Sequence, residues 1–428
     1  MDDTDLLMII AGSGVPAWAA GFDMWANYTN GQGNGFLNFP PGVDTHAQAI
    51  NALNSGGSYL SYPANVPVRT DLGLQTVPTR TNSIRNNSMV GAVAGTPGTL
   101  PTNWATSSTG LTRSIVGTGT ENGIPYIDIR FAGTTGATFG SINLDTSTGI
   151  TAANGQNWTM SSTLSLVGGS LTNVTGPKHE VGQNDSGGAF LSNLTGSVLA
   201  ITASPTRFST TFSTNNASTA FVQPRVTFSW TSGVAVDFTI RVAAPQLEGT
   251  NVSFASPPIL TTSASATVNG NQQVIDLTGK LGVGVSGFVQ VNISGAAAND
   301  RIFQISDGSN NNRATIFNNA GALNYLMSSG GVSQGQAAVT GPVSGLITIA
   351  FAFSTNYIAA RVVGQTANTD DTSATYPAMD RMGLGGLGFA TTNNIFQFTN
   401  KLALKFGSQN ASTFAAAFAA AQLAAVSP

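Results

Sequence analysis

The stretch IPYIDIRF, residues 124–131, decides the fold class of this chain. Its apolar residues Ile127, Ile129 and Phe131 alternate with polar ones, which is the period of a strand with one buried and one solvated face. The same alternation recurs in runs separated by Gly, Asn and Ser clusters, a spacing typical of antiparallel sandwiches. These runs are NWTMSSTLSLV (157–167), VTFSW (226–230), VAVDFTIRV (234–242), GFVQVNI (287–293), RIFQI (301–305), LITIAFAF (346–353) and YIAARVV (357–363). We therefore predict an all-β protein with two antiparallel, jelly-roll-like β-sandwiches.

The composition supports this prediction and argues against several function classes. Only 8% of the 428 residues are charged while 41% are hydrophobic, so the chain has enough apolar residues to bury cores, and we do not expect a helical enzyme. The net charge of -3 gives no electrostatic basis for binding nucleic acid. Cysteine is absent, which rules out disulfides and thiolate metal sites.

The sequence predicts no membrane insertion, because no apolar run approaches the ~20 residues that span a bilayer. A short apolar run precedes AWAA, at residues 17–20, but Asp2, Asp3 and Asp5 stand where a signal peptide would be positive. We therefore do not expect secretion by that route.

Three regions follow from the pattern. The two prolines Pro257 and Pro258 exclude a central strand near residue 258. We predict an N-terminal attachment or stem region at 1–84, a first sandwich at 85–262, and a second sandwich with a short C-terminal helix at 263–428. The helix is predicted at 412–426, with Ser412 as N-cap and Phe414 and Phe418 one turn apart. Its apolar stripe packs on the last sandwich or joins copies of the chain.

Enzymatic motifs are weak. GVGVSG (282–287) and GLGGLG (383–388) match a dinucleotide fingerprint but precede no helix, so we interpret them as glycine turns. NDSGG (184–188) resembles a serine-protease loop, but His179 falls in the same predicted solvated loop, together with Lys178, Glu180 and Asp185. A glycoside hydrolase would need two suitably spaced carboxylates; the candidates are Glu121, Glu180, Glu248, Asp128, Asp145, Asp237 and Asp276. We predict no catalytic residues.

No cofactor and no metal site is predicted. Asp307 in SDGSNNNR and the pair Asp370 and Asp371 could supply oxygen ligands for calcium. Aspartate-rich turns are more common without a metal, so calcium remains only an alternative here.

Carbohydrate binding suits a sandwich with few charges and with aromatic and amide side chains, because sugars offer apolar ring faces and hydroxyl groups. Tyr126, Asp128 and Arg130 share one strand face, and Trp104 in PTNWA is placed for exposure. These four residues are the predicted carbohydrate site. The alternative is an ordinary solvated strand surface and a tryptophan that closes one end of the sandwich.

The stretch GLQTVPTRTNSIRNNSM (73–89), followed by GAVAGTPGTLPTNWA, resembles a segment of tail fibre and spike proteins of bacteriophages, prophages and gene-transfer particles. The matching positions are Gly73, Leu74, Arg80, Thr81, Asn82, Asn86, Pro97, Gly98, Pro101 and Trp104. In those proteins the segment introduces a carbohydrate-binding-module-like jelly roll. Its closing strand is similar to APQLEGTNVSFASPPILTT, at Pro245, Gln246, Leu247, Glu248, Phe254, Ser256, Pro258 and Ile259.

The later segments RIFQISDGSNNNRATIF, LITIAFAFSTNYIAARVVG and MGLGGLG resemble a concanavalin- or laminin-G-like sandwich. Thr79 stands where the first motif usually has an acidic residue. In physical terms Arg80 and Asn82 have a structural role: Arg80 offers a planar donor fork to edge carbonyls and Asn82 closes a turn, which fixes the first sandwich to the stem.

The resemblance implies a virion fibre or head spike that attaches to host surface polysaccharide, binds other virion proteins through its N-terminal region, and forms a homotrimer. Its expected location is the particle surface. The alternatives are a structural virion connector or decoration protein without a glycan ligand, and a spike depolymerase.

Overall fold

The computed structural model describes residues 15–34, 48–249, 252–366, 368–370, 373–387 and 394–427. Within them the chain forms antiparallel strands and one α-helix, α1 (Ala411–Val426), with a single 3-10 turn at Ala17–Ala19. This confirms the predicted all-β class. The strands of the first half are β1 (Met24–Asn27), β2 (Gln32–Asn34), β3 (Ile50–Leu53), β4 (Tyr59–Tyr62), β5 (Arg69–Thr70), β6 (Gly73–Thr76), β7 (Arg80–Asn82), β8 (Ala105–Ser107), β9 (Leu111–Glu121), β10 (Ile124–Thr134), β11 (Phe139–Asn143), β12 (Ile150–Thr151), β13 (Asn157–Ser170), β14 (Thr175–Asn184) and β15 (Phe190–Val198). The strands of the second half are β16 (Thr206–Ser213), β17 (Phe221–Ser229), β18 (Ala235–Glu248), β19 (Ala266–Val268), β20 (Gln273–Asp276), β21 (Gly284–Gly295), β22 (Arg301–Ser306), β23 (Arg313–Asn319), β24 (Ala322–Ser329), β25 (Val332–Val339), β26 (Gly345–Ser354), β27 (Tyr357–Val362), β28 (Asn368–Asp370), β29 (Arg381–Leu384) and β30 (Phe396–Phe406).

The chain divides into two compact units. Unit 1 contains the described residues of 1–56, 61–79 and 269–428, and unit 2 contains 57–60 and 80–268. The second unit is thus formed by one nearly continuous segment, whereas the first is assembled from both ends of the chain.

Unit 2 is a β-sandwich. One sheet has the order β16-β13-β18-β10-β9, and the other has the order β15-β14-β17-β11-β8 with β12 beside β17. The predicted inward residues of β10 are buried, and Phe131 packs on Phe238 and Phe228 with ring centroids 5.6 and 6.3 Å away. Burying several such aromatic side chains, each worth about 2 to 3 kcal/mol by area, stabilises the unit.

Unit 1 has two larger sheets. The first has the order β2-β1-β30-β21-β26-β27-β28, with β6 also on β30, and the second has the order β20-β29-β22-β23-β24-β25. Their apolar residues form one cluster that includes Phe303, Phe351 and Tyr325. The ring centroids of Phe303 and Phe351 lie 4.6 Å apart, so this unit also has a packed aromatic core.

Helix α1 packs on unit 1. Phe414 and Phe418 are buried with Phe288, Trp18 and Trp25, which confirms that its apolar stripe covers the last sandwich. The predicted N-cap at Ser412 is wrong: the Asn410 side chain accepts hydrogen bonds from the backbone N–H groups of residues 412 and 413 in a capping box. Asparagine is as good an N-cap as serine, and the N-cap of the helix lies two residues earlier than predicted.

The division into units differs from the predicted boundaries at 84 and 262. The sequence predicted a separate attachment or stem region at residues 1–84. In the structure β1 and β6 both pair with β30, so described residues before 80 complete a sheet of unit 1. Such long-range pairing leaves no local trace in the sequence, because strand register depends on a partner more than 300 residues away.

Candidate functional site

The outward face of β10 gathers an aromatic ring and several charged groups. In this strand the Tyr126, Asp128 and Arg130 side chains alternate with the buried core residues, as predicted. On its neighbour β18, Ala243, Arg241 and Thr239 lie directly opposite these three residues. Cross-strand neighbours share a face, so the sheet brings Arg241 into the row that β10 begins.

Arg241 is the centre of this row. Its guanidinium stacks 3.5 Å from the centroid of the Tyr126 ring, and its Nε and Nη2 donate to the two carboxylate oxygens of Asp128, each at 2.8 Å. Its Nη1 lies 2.9 Å from Glu121 Oε1. The hydrogen bond to Asp128 is the first cause that raises the pKa of Arg241 above its usual value. The cation is therefore fixed in one plane beside two carboxylates.

Arg130 extends the row into solvent. Its Nε and Nη2 donate to Asp237 at 2.7 and 2.6 Å, and both side chains are about half exposed, at 47% and 53%. The bond to Asp237 raises the pKa of Arg130. Exposed pairs of this kind contribute little stability, so their groups are available to a ligand.

Strand β9 leaves room beside the row. Gly117 and Gly119 lie opposite Asp128 and Tyr126, and a Cβ at Gly119 would stand 2.8 Å from the Tyr126 hydroxyl, whereas one at Gly117 would meet nothing within 4 Å. The register of β9 with β10 shifts between the Gly117–Asp128 pair and the Ile115–Ile129 pair. The extra residue of this bulge, Val116, is exposed. The Tyr126 ring covers Gly119, and the open position beside the row is the one at Gly117. We call the set Tyr126, Asp128, Arg130 and Arg241 the β10 face.

Chemically the β10 face offers groups that can bind a polar ligand. Guanidinium and carboxylate groups can exchange their partners for sugar hydroxyls, and a stacked ring presents an apolar edge. Asp128 and Glu121 both form ion pairs with the same cation, Arg241.

Trp104 does not belong to this site. Its ring is buried in the core of unit 2, and its Nε1 donates to the backbone oxygen of Asn86 at 2.8 Å. The prediction of an exposed tryptophan is thus corrected, because the residue closes one end of the sandwich and has no free ring face for a sugar.

Arg80 and Asn82 lie at the entry of unit 2. The Asn82 side chain accepts from the N–H groups of Ile84 and Leu247, both at 3.1 Å, and donates to the Ile259 oxygen at 3.0 Å. Arg80 stacks on the Phe254 ring, 4.7 Å from its centroid, with its Nε 3.7 Å from the buried Glu248 carboxylate. Both residues therefore join the start of the unit to its closing segment.

The loop predicted around His179 is wrong. Residues 175–184 form strand β14, and His179 is fully buried between the sheets, with Nε2 2.8 Å from the Ser162 hydroxyl and Nδ1 3.2 Å from that of Thr210. Burial, with the nearby Arg207 charge, lowers the pKa of His179 to about 3. Asp185 makes a turn with Gly187 and Ala189, so no protease-like arrangement connects the two segments.

Glu180 is a further buried acid of β14. Its carboxylate lies 3.6 Å from Arg225 Nη1, and burial raises the pKa of Glu180 more than that cation lowers it. Arg225 also lies 5.6 Å from the exposed Phe190 ring. The hydrogen-bond and ion-pair partners of the Glu180 carboxylate in the described chain include Arg225 and the Thr195 hydroxyl.

The calcium alternative can be placed only in part. Asp307 accepts from Ser309 and Asn312 in an Asx-type turn, while the Asp370 side chain and Asp371 lie outside the described residues. Within the described ranges no three His, Cys, Asp or Glu residues form a group that could hold a metal ion. In the same ranges no helix has both the length and the apolar character to cross a bilayer.

Sequence reasoning missed Arg241, and it considered Glu121 and Asp237 only as candidate hydrolase acids and not as neighbours of the β10 residues. Asp237 and Arg241 alternate with core residues in VAVDFTIRV, so their outward position was readable. Their pairing with β10 residues was not, because it depends on cross-strand register.

No protein-family model and no curated protein matches the chain. Among solved structures, one similar chain is the N-terminal CBM22-1-CBM22-2 tandem domain of Xyn10C from Paenibacillus barcinonensis, at 9% identity and a TM-score of 0.23, covering 74% of this chain and 99% of that one. Another is the tripod (BppUct-A-L) from the baseplate of bacteriophage Tuc2009, at 12% identity and a TM-score of 0.26, covering 65% and 96%. At TM-scores below 0.5 neither similarity carries an argument here.

Proposed function

We propose that this protein is a fibre or spike subunit of a phage-like particle and that it recognises host surface polysaccharide through the β10 face. The observation that supports the proposal most is the Arg241 guanidinium stacked on Tyr126 and held by Asp128 beside the open position at Gly117. This fixed array, together with the half-exposed Arg130 and Asp237 beside it, is preorganised for sugar hydroxyls.

Placement on a virion rests on the resemblance of residues 73–104 and 245–259 to tail fibre and spike proteins. Attachment to other virion proteins through the N-terminal region, and a homotrimeric state, are parts of the same proposal. Multi-angle light scattering of the full chain tests the oligomeric state directly: a monodisperse monomer would contradict the trimer.

The decisive experiment is binding of the full chain to a glycan array and to host polysaccharides, with reaction products examined by mass spectrometry. We expect saturable binding of intact polysaccharide. Arg130→Ala and Tyr126→Ala should each weaken it about tenfold, the loss expected when one or two good polar or stacking contacts are removed. Lys178→Ala is the control, because Lys178 belongs to β14 of the other sheet.

A structural connector without a glycan ligand is the second candidate. It is favoured by the mutual satisfaction of Arg241 by Asp128 and Glu121, which gives these charges partners without any ligand. Absence of binding to every polysaccharide, together with firm association with particles, would establish the connector, and cleavage products would establish a depolymerase.

A further inference from the structure

A second polar cluster lies in unit 1, on the sheet that contains β22 and β23. Arg301 is opposite Phe317 in these strands, and Gln304 is opposite Thr315. Arg313 lies two residues before Thr315 on β23, so strand alternation gives Arg313, Thr315 and Phe317 one common side. The core residues of these strands, such as Ile316, point the other way. We call Arg301, Gln304 and Arg313 the arginine face.

In the part of the chain that the structure describes, neither of the two arginines holds a carboxylate with its Nε and Nη2 atoms, the pair of donors that we call the fork. Arg301 uses Nη1 for the backbone oxygen of Asn299 and Arg313 uses Nη1 for Asn310 Oδ1 at 2.5 Å. The Nε of each is buried without a hydrogen-bond partner. Within the described chain neither arginine forms an ion pair.

Four other arginines of this protein show what that fork can hold. Each of these four binds one carboxylate with Nε and Nη2 together, which is the bidentate geometry that makes arginine selective for planar oxyanions, whereas the Arg113 fork binds the backbone oxygens of Pro97 and Gly98. The four carboxylate pairs are Arg85 with Asp145, Arg130 with Asp237, Arg241 with Asp128 and Arg381 with Asp380. Arg301 and Arg313 therefore have the fork without the carboxylate.

Gln304 adds a second, independent sign of a missing partner. It is fully buried, and neither its amide nitrogen nor its amide oxygen has a hydrogen-bond partner. Buried polar groups are nearly always hydrogen-bonded, and leaving one unpaired costs about 1 to 3 kcal/mol. An amide that lacks both kinds of partner, on the same face as two arginines with unpaired Nε atoms, could pair with a ligand that carries both a hydroxyl and a carboxylate.

Electrostatics agrees with this arrangement. Burial, together with the charge of Arg313, lowers the pKa of Arg301 to about 10, and Asp300 only partly opposes them. Burial also lowers the pKa of Arg313. An anion placed between the guanidinium groups would relieve both the repulsion and the desolvation. The Phe317 ring, 4.7 Å from the Arg301 guanidinium, holds that group in its plane.

We propose that the arginine face binds the carboxylate of an acidic saccharide, with the Arg301 and Arg313 forks on the oxyanion and the Gln304 amide on a neighbouring hydroxyl. The choice of a saccharide rests on the proposed function, whereas the anionic site rests on unit 1 alone. The amide is the reason to prefer a sugar acid over free phosphate, because it can both donate to and accept from a hydroxyl.

Calorimetric titration of the full chain with D-glucuronate, D-galacturonate, D-glucose and inorganic phosphate tests the proposal. We expect a uronate to bind at least tenfold more tightly than glucose and phosphate. Arg313→Gln should lose at least tenfold in uronate affinity, and Arg313→Lys should lose a comparable factor because lysine keeps the charge but not the fork. Arg381→Gln is the matched control: Arg381 lies on the same sheet, but its fork is filled by Asp380.

The proposal is overturned if neither uronate binds, if glucose binds as tightly as a uronate, or if Arg313→Gln or Arg313→Lys binds like the unchanged protein. Phosphate binding without uronate binding would overturn the saccharide assignment. A melting temperature of each variant close to that of the unchanged chain shows that a lost affinity does not come from unfolding. Failure here is distinguishable from failure of the proposed function, because the latter is measured with host polysaccharide and with variants of Tyr126 and Arg130 in unit 2, whereas this titration uses single sugars and variants of unit 1.

Discussion

Replacing Asn82 by alanine is expected to lower the free energy of unfolding of unit 2 by about 4 kcal/mol, because two buried backbone N–H groups lose their acceptor at about 1 to 3 kcal/mol each. These donors belong to Ile84 and Leu247. Asn87 makes parallel bonds from its own amide to the Pro245 and Ile259 oxygens, so those carbonyls keep one donor in the variant. The loss is therefore concentrated on the two N–H groups.

The measurement is calorimetric unfolding of the full chain, with hydrogen exchange followed in peptides from 80–90 and 245–261. Exchange should accelerate in both segments, since Asn82 connects them. Thr81→Ala is the control: its hydroxyl contacts only the exposed Thr267 hydroxyl, and we expect a change of about 0.5 kcal/mol or less. Unchanged exchange in 245–261 in the Asn82 variant would contradict a joining role.

Asn82→Asp sharpens the same test. Its carboxylate keeps the acceptor for the Ile84 and Leu247 N–H groups but places a charge against the Ile259 oxygen, to which the native amide donates. We expect a loss of stability at pH 7 that is partly recovered as the pH falls, because the protonated acid can donate to that oxygen. A pH-independent loss would show that the donor half of Asn82 is unimportant.

Acid should destabilise unit 2 through His179. Its pKa is lowered to about 3 in the folded protein from about 6.5 in an unfolded chain. A depressed pKa stabilises the fold fully above the unfolded value, and this contribution is lost as the pH falls from 6.5 toward 3. The loss is up to about 1.4 kcal/mol per pH unit, or about 3 kcal/mol by pH 4.5.

The comparison that isolates this contribution is His179→Gln, since glutamine can still bond the Ser162 and Thr210 hydroxyls and does not titrate. The difference in unfolding free energy between the unchanged protein and this variant should be constant above pH 7 and shift in favour of the variant below pH 6. Glu180 and Glu248 act in the opposite direction, because burial raises the pKa of each. Because both glutamates are present in the unchanged protein and in the variant, their contributions cancel in the difference in unfolding free energy. A difference that stays flat to pH 4.5 would mean that His179 becomes protonated at no cost.

The sequence by itself determined the fold class and the facing of many strands. A side-chain period of two is a local property, so the alternation in IPYIDIRF was enough to place Ile127, Ile129 and Phe131 in a core and Tyr126, Asp128 and Arg130 opposite them. The alanine-rich C-terminal segment with Phe414 and Phe418 likewise predicted a helix with an apolar stripe.

Only the tertiary structure decided which residues meet. Arg241 stands 113 positions from Asp128 in the chain, and its place beside Tyr126 follows from the register of β10 and β18. The sequence predicted a loop at His179 because its neighbours in the chain are polar. The structure shows a buried strand there, and its burial depends on the facing sheet, which no local pattern reveals. The empty forks of Arg301 and Arg313 are equally invisible in the sequence, since an unpaired group can be recognised only when every neighbour is known. Local pattern thus fixes secondary structure and facing, whereas pairing across strands, which builds both candidate sites, depends on long-range register that no local pattern encodes.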